Sequence, residues 1–104
     1  MANIAKMLKQ AQQMQGRMAQ MQEEMAQLEK SFRAGGGAVE VVARGDQTIT
    51  RIAIKPEAVD PDDVEALEDL LLMAVNGALD AVKTEAAARM REVTGGINIP
   101  GLNL

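Results

Sequence analysis

Cysteine, histidine, tryptophan and tyrosine are all missing from the 104 residues, and Phe32 is the sole aromatic side chain. Without Cys and His there is no disulfide framework, no thiolate nucleophile, no ordinary zinc donor set and no imidazole acid or base. Most reaction classes fall away, and the chain reads as a non-enzyme with neither cofactor, metal nor small-molecule substrate. With one aromatic ring it has no platform on which nucleic-acid bases would stack. No run of eighteen apolar residues and no basic segment leading into an apolar one occurs. Neither a spanning helix nor a secretion signal is therefore expected, no membrane is a partner, and a cytoplasmic protein is the expectation.

Charge is unevenly spread. The net charge is −4, which by itself argues against a phosphate-rich partner. Yet from Met1 to Gln22 there are three cations, Lys6, Lys9 and Arg17, and no acid, whereas seven acids and no base fall between Glu57 and Asp69. An acidic chain polarised in this way still presents a positive end.

Hydrophobic residues make up 47% of the chain, enough for a modest single-domain core over residues 1–104. Ile4, Met7, Ala11, Met14, Met18, Met21, Met25, Leu28 and Phe32 recur at alternating spacings of three and four. That is an unbroken heptad seam, and it predicts a helical arm over 3–32 of roughly 45 Å, far longer than a compact domain of this size with its radius of gyration of about 13 Å. Such a helix protrudes or pairs, and a homodimer is the expectation. Met14, Met18, Met21, Met25 and Leu28 are the seam candidates.

Gly35, Gly36 and Gly37 are expected to close the arm. Residues 38–55 then read as an antiparallel β-hairpin turning at Gly45-Asp46, with Val39, Val41 and Ala43 on one face. In its second strand Thr50, Ile52 and Ile54 alternate with Ile49, Arg51, Ala53 and Lys55. Because a lone hairpin is marginal in water, hairpins from two chains sharing a central sheet are the expected arrangement, with Ile52 and Ile54 at the dimer contact. Asp60 reads as an N-cap and Pro61 as the first residue of a second helix over 61–93, followed by an extended, flexible tail over 94–104. The fold class is α+β.

Several signals have plain explanations. The methionines resemble soft copper(I) ligands, but they never leave the seam. The acids near Asp60 lack calcium-loop spacing and suit a helix start. Arg44-Gly45-Asp46 is read as a turn rather than an adhesion motif. A membrane-surface helix would need a strongly cationic polar face, and here that face is mostly Gln. What remains is the cations, Lys6, Lys9 and Arg17 on the first helix and Lys83, Arg89 and Arg91 on the second. If the helices run back along one another, the basic start of one meets the basic end of the other. A patch of that kind takes duplex DNA through its phosphates, with little base preference. The rival reading is a protein-interaction module using the Met-rich helix as an adaptable zipper.

MLKQAQQMQ at 7–15, MQEEMAQLE at 21–29, AVEVVARGD after the glycines, IKPEAVDPDDVEALEDLLLMAVNGAL and the closing TGGINIPG together resemble the YbaB/EbfC family of small bacterial nucleoid-associated proteins, over nearly the whole chain. The resemblance implies a tweezer-like intertwined homodimer with the hairpins joined in a central sheet and the long helices projecting as arms. It implies binding to double-stranded DNA, altered DNA conformation, and a part in nucleoid organisation and gene regulation. On that basis Lys6, Lys9, Arg17, Lys83, Arg89 and Arg91 are the expected DNA contacts, with Lys30, Arg33 and Arg51 behind them.

Overall fold

A computed structural model describes residues 3–95. The order is helix α1 (Asn3–Gln27), strands β1 (Glu29–Ala34), β2 (Val39–Arg44) and β3 (Ile49–Ile54), a 3₁₀ turn at Pro56–Ala58, and helix α2 (Val64–Gly95). The radius of gyration is 20.6 Å, well beyond the ~13 Å of a compact chain this long. Most of the excess is the projecting arm α1.

The arm is built of Ala, Met, Gln, Lys and Glu, all good helix formers, and no residue along it is fully buried. It stops five residues earlier than the heptad pattern predicts. Leu28 donates its N–H to the Met25 carbonyl at 3.3 Å, closing a tight last turn. Then Glu29–Ala34 pairs antiparallel with Val39–Arg44, placing Phe32 opposite Val41 and Ala34 opposite Val39. The expected two-stranded hairpin is thus a three-stranded antiparallel sheet in the order β1-β2-β3. Leu28 and Phe32 leave the seam, because six cross-strand pairs and a shared apolar face outweigh one and a half further turns of exposed helix.

The glycines correspondingly do not cap a helix. Gly35, Gly36 and Gly37 all take left-handed φ values, 64°, 67° and 92°, and form the turn between β1 and β2. At the other turn Gly45 and Asp46 are joined by Gln47, itself at φ 68°. A bulge at Val42/Ala43 sets Arg51 opposite Val42 but Ile49 opposite Ala43. Thr50 is the extra residue, and Ile49 crosses to the core side instead of sharing the face of Arg51.

The core lies between one face of the sheet and α2. Ala34, Val39, Val41 and Ala43 from the sheet are buried against Ala74, Ala78 and Val82 of the helix, with Leu28, Ile49, Leu67, Leu70, Leu71, Val75 and Leu79 around them. The small alanines let the helix lie close to the strands. The helix begins at Val64, three residues later than predicted, because its N-cap is Asp63, whose carboxylate accepts the Ala66 N–H at 3.3 Å. Asp60 caps the preceding turn instead, accepting the Asp62 N–H at 3.0 Å. Among the described residues α2 continues to Gly95, and the predicted tail from residue 96 onward lies outside them.

Candidate nucleic-acid interface

Three basic surfaces emerge. The first is α1. Lys6, Gln10, Gln13, Arg17 and Gln20 follow one another at spacings of four and three, which makes them a single stripe of donors along the helix, and all five are exposed. Lys9, also exposed, lies a little further round. The neighbouring apolar stripe is uncovered too, with Ile4 69%, Met7 65%, Met14 55% and Met18 50% exposed.

The second surface is the far half of α2. Lys83 and Arg91 are exposed. Arg89 donates its Nε–H to Glu85 at 3.2 Å, and Lys30 of β1 approaches the other oxygen of Glu85 at 3.7 Å. One carboxylate thereby offsets much of the charge of two candidate cations, and the Lys30 pair ties β1 to α2 while the Arg89 pair lies within α2.

The third surface, ranked low or passed over in the sequence, is the sheet face opposite the core. The register places Arg33, Glu40, Arg44 and Arg51 there, and Lys55 continues the alternation. Arg33 binds Glu40 at 2.6 Å and Arg44 binds Asp46 at 2.8 Å. These hydrogen bonds hold the Glu40 and Asp46 carboxyls below their ordinary range, Asp46 to about 2 with help from Thr48. Arg51 and Lys55 are exposed on the same face. Alternation outward from Val39, Val41 and Ala43 marks Arg44 alone, whereas Arg33, Arg51 and Lys55 join this face only through the pairing of β1 and β3 with β2.

The predicted junction of basic ends does not form. α2 runs opposite to β1, with Lys30 beside Glu85 and Phe32 against Gly77, and the groove between the root of α1 and the end of α2 is lined by Met21, Glu24, Met25, Glu85, Ala88, Arg89 and Glu92. Arg89 faces Gln20, Glu23, Glu24, Gln27 and Leu28. The end of α2 therefore meets the acidic root of α1, and Lys9 lies a further ~18 Å out along the arm from Met21. Lys6, Lys9 and Arg17 make one surface while Lys83, Arg89 and Arg91 belong to another. The seam residues divide as well. Met21 and Met25 line the groove against α2 of their own chain, Leu28 packs on the core, and Met14 and Met18 face solvent. Ile52 and Ile54 lie on the core side of β3, 51% and 39% exposed, because α2 covers β1 and β2 but leaves β3 open.

Residues 1–97 match the YbaB/EbfC DNA-binding family. The chain belongs to that family. A nucleoid-associated protein of Desulforamulus reducens is 57% identical over 100 residues, covering 96% of this chain and 95% of the relative. One from Clostridium acetobutylicum is 49% identical over 100 residues, with 96% and 89% covered. The crystal structure of an uncharacterized Helicobacter pylori protein superposes with a TM-score of 0.67 at 21% identity, covering 84% of this chain and 91% of that one, which establishes a shared fold. This YbaB/EbfC chain thus shares its family's DNA-binding assignment. The family is one of DNA-binding proteins rather than enzymes, and among the described residues no helix is long and apolar enough to cross a membrane.

Proposed function

We propose that this protein is a nucleoid-associated homodimer that binds duplex DNA with little base preference, alters its conformation and so contributes to nucleoid organisation and gene regulation in the cytoplasm. The observation that carries this reading is the arm: a projecting helix with Lys6, Lys9 and Arg17 exposed and no acid before Glu23. A single helix of this kind fits the DNA major groove, about 12 Å wide, and its long amide and cationic side chains reach phosphates on either wall. Lys83, Arg89, Arg91, Arg51 and Lys55 supply further phosphate contacts from the body.

The dimer is seated on β3. That strand has one neighbour, β2, so its outer N–H and C=O groups are unpaired, and Ile52 and Ile54 extend the apolar face of the buried Val39 and Val41 into solvent. Pairing β3 with β3 of a second copy completes the backbone hydrogen bonding and covers both isoleucines. Because β1 lies at the opposite edge of the sheet, the two arms then stand about five inter-strand spacings, ~24 Å, apart at their roots.

The experiment is a fluorescence-anisotropy titration of a labelled duplex, and of a scrambled duplex, at several salt concentrations. The six arm cations alone give a slope of about −5 in log affinity against log salt, steeper as body cations join them, and similar for both duplexes. Absence of binding at low salt would overturn the reading.

A further inference from the structure

We propose that Gly16 is a notch in the arm where a phosphodiester of the duplex lies against the helix backbone, with Lys9, Gln12, Gln13, Arg17 and Gln20 closing on it from the sides. This rests on the DNA reading above and names the point of contact.

Glycine is, after proline, the poorest residue for a helix interior, and α1 has no fully buried residue to support it there. Elsewhere the fold itself uses its glycines. Gly35, Gly36 and Gly37 take left-handed φ values, and Gly45 and Gly77 are pressed by the Met25 backbone and the Phe32 ring. Gly16 has neither reason. It lies within the regular helix Asn3–Gln27, its φ is not positive, and nothing lies within 4 Å of where its Cβ would be. Alanine would fit the free chain and strengthen the arm. The remaining use of a glycine is to let a ligand come close to the backbone.

The surroundings of Gly16 identify the ligand. On a helix, residues three, four and seven apart share a face. Gln12 and Gln13 lie one turn from Gly16 toward the tip, Lys9 two turns, Gln20 one turn toward the root, and Arg17 flanks it. All five are exposed. They offer two cations and three amides, and no acid occurs from Met1 to Gln22. Among the described residues no carboxylate pairs with Lys9 or Arg17, in contrast to Lys30, Arg33, Arg44 and Arg89. A gap ringed by donors, with no competing acid, suits a phosphodiester of the DNA backbone. With the strand seated at Gly16 the long side chains on its flanks reach round it, whereas a side chain at 16 would hold the strand off. The apolar stripe of Met7, Ala11 and Met14 lies on the other side of the helix, so the notch is independent of it.

The test titrates a labelled duplex with the full chain at low salt by fluorescence anisotropy, with circular dichroism and light scattering on the same samples. Gly16→Ala is expected to raise helicity and yet weaken binding about fivefold, and Gly16→Leu to weaken it about thirtyfold, because the loss follows the bulk placed in the contact. Ala11→Leu, which adds bulk on the opposite side of the arm, is expected to stay within about twofold of the wild type. Every variant is expected to keep the wild-type mass. Binding by Gly16→Ala that tightens as helicity rises would make the glycine only a weak point in the helix. Equal losses in the Ala and Leu variants would make it a hinge, and a changed mass in Gly16→Leu would put a protein at the notch. Any of these three overturns the proposal and leaves the DNA reading standing. Absence of binding by the wild type overturns both.

Discussion

The ring of Phe32 lies directly against Gly77 of α2, so close that a Cβ at Gly77 would overlap three ring carbons. Phe32 reaches this position from β1, opposite Val41, and Gly77 is the gap in the helix surface that admits it between the buried Ala74 and Ala78. Gly77→Ala would gain about 1 kcal/mol of helix propensity. The added methyl displaces the ring and the strand behind it, at a cost of about 1–3 kcal/mol. The expected net is a loss of roughly 1 kcal/mol, read as a lower urea midpoint, and Phe32→Leu should restore part of it when combined.

Gly45 sets the root of the arm. A Cβ there would collide with the Met25 carbonyl oxygen, and the Gly45 N–H donates to the Leu28 carbonyl at 2.8 Å. Gly45→Ala forces backbone to move against backbone. Destabilisation of about 2 kcal/mol is expected, together with weaker DNA binding because the arm is re-aimed. A variant with unchanged thermal midpoint and affinity would contradict the account.

Asp46 makes the turn between β2 and β3 sensitive to acid. Its carboxyl is lowered to about 2 by the Arg44 guanidinium, then by Thr48. A group held below its unfolded value stabilises the fold above that value, near 3.9, and the contribution disappears as pH falls toward 2. Asp46→Asn should therefore lower the urea midpoint at pH 6, and the two proteins should converge near pH 2. A constant difference across that window would rule this out.

Ile52 and Ile54 carry the dimer prediction. Ile52→Lys with Ile54→Lys places two charges on the surface proposed to be covered, and light scattering should show a monomer at concentrations where the wild type is a dimer. Because both side chains are already half-exposed, the monomer should remain folded. DNA affinity should drop at least tenfold as one of two arms is lost.

Hydrogen exchange should grade the molecule from end to end. An unsupported helix of this length is marginal in water, so amides of 5–18 in free dilute protein should exchange far faster than those of Ala74–Val82 in the core. Adding duplex should slow exchange along the arm selectively. Equal protection of arm and core without DNA would mean that the arm is already covered.

The heptad run from Ile4 to Met25 was readable because helical periodicity is a local property, written in spacing alone. The same held for Val39, Val41 and Ala43, whose alternation marks one buried face, and for the apolar stripe of α2. The end of the arm was not readable in this way. Leu28 and Phe32 keep perfect heptad spacing, and nothing in EKSFRA favours a strand until β2 is beside it. Propensity there is nearly neutral, so cross-strand pairing decided.

The candidate cations divide along the same line. Exposure and sign were evident for Lys6, Lys9 and Arg17, which sit on one helix with no acid nearby. The surroundings of Arg89, Lys30, Arg33 and Arg44 depended on contacts across elements, with Glu85, Glu40 and Asp46 offsetting them, and Arg51 and Lys55 joined a common face only through strand register. The sequence by itself determined the long amphipathic arm, the apolar faces and the polarised charge, since each follows from spacing within one segment. Only the tertiary structure decided where the arm stops, that β1 exists, and that the basic end of α2 meets the acidic root of α1 rather than its basic tip, because those outcomes are set by packing energies between segments far apart in the chain.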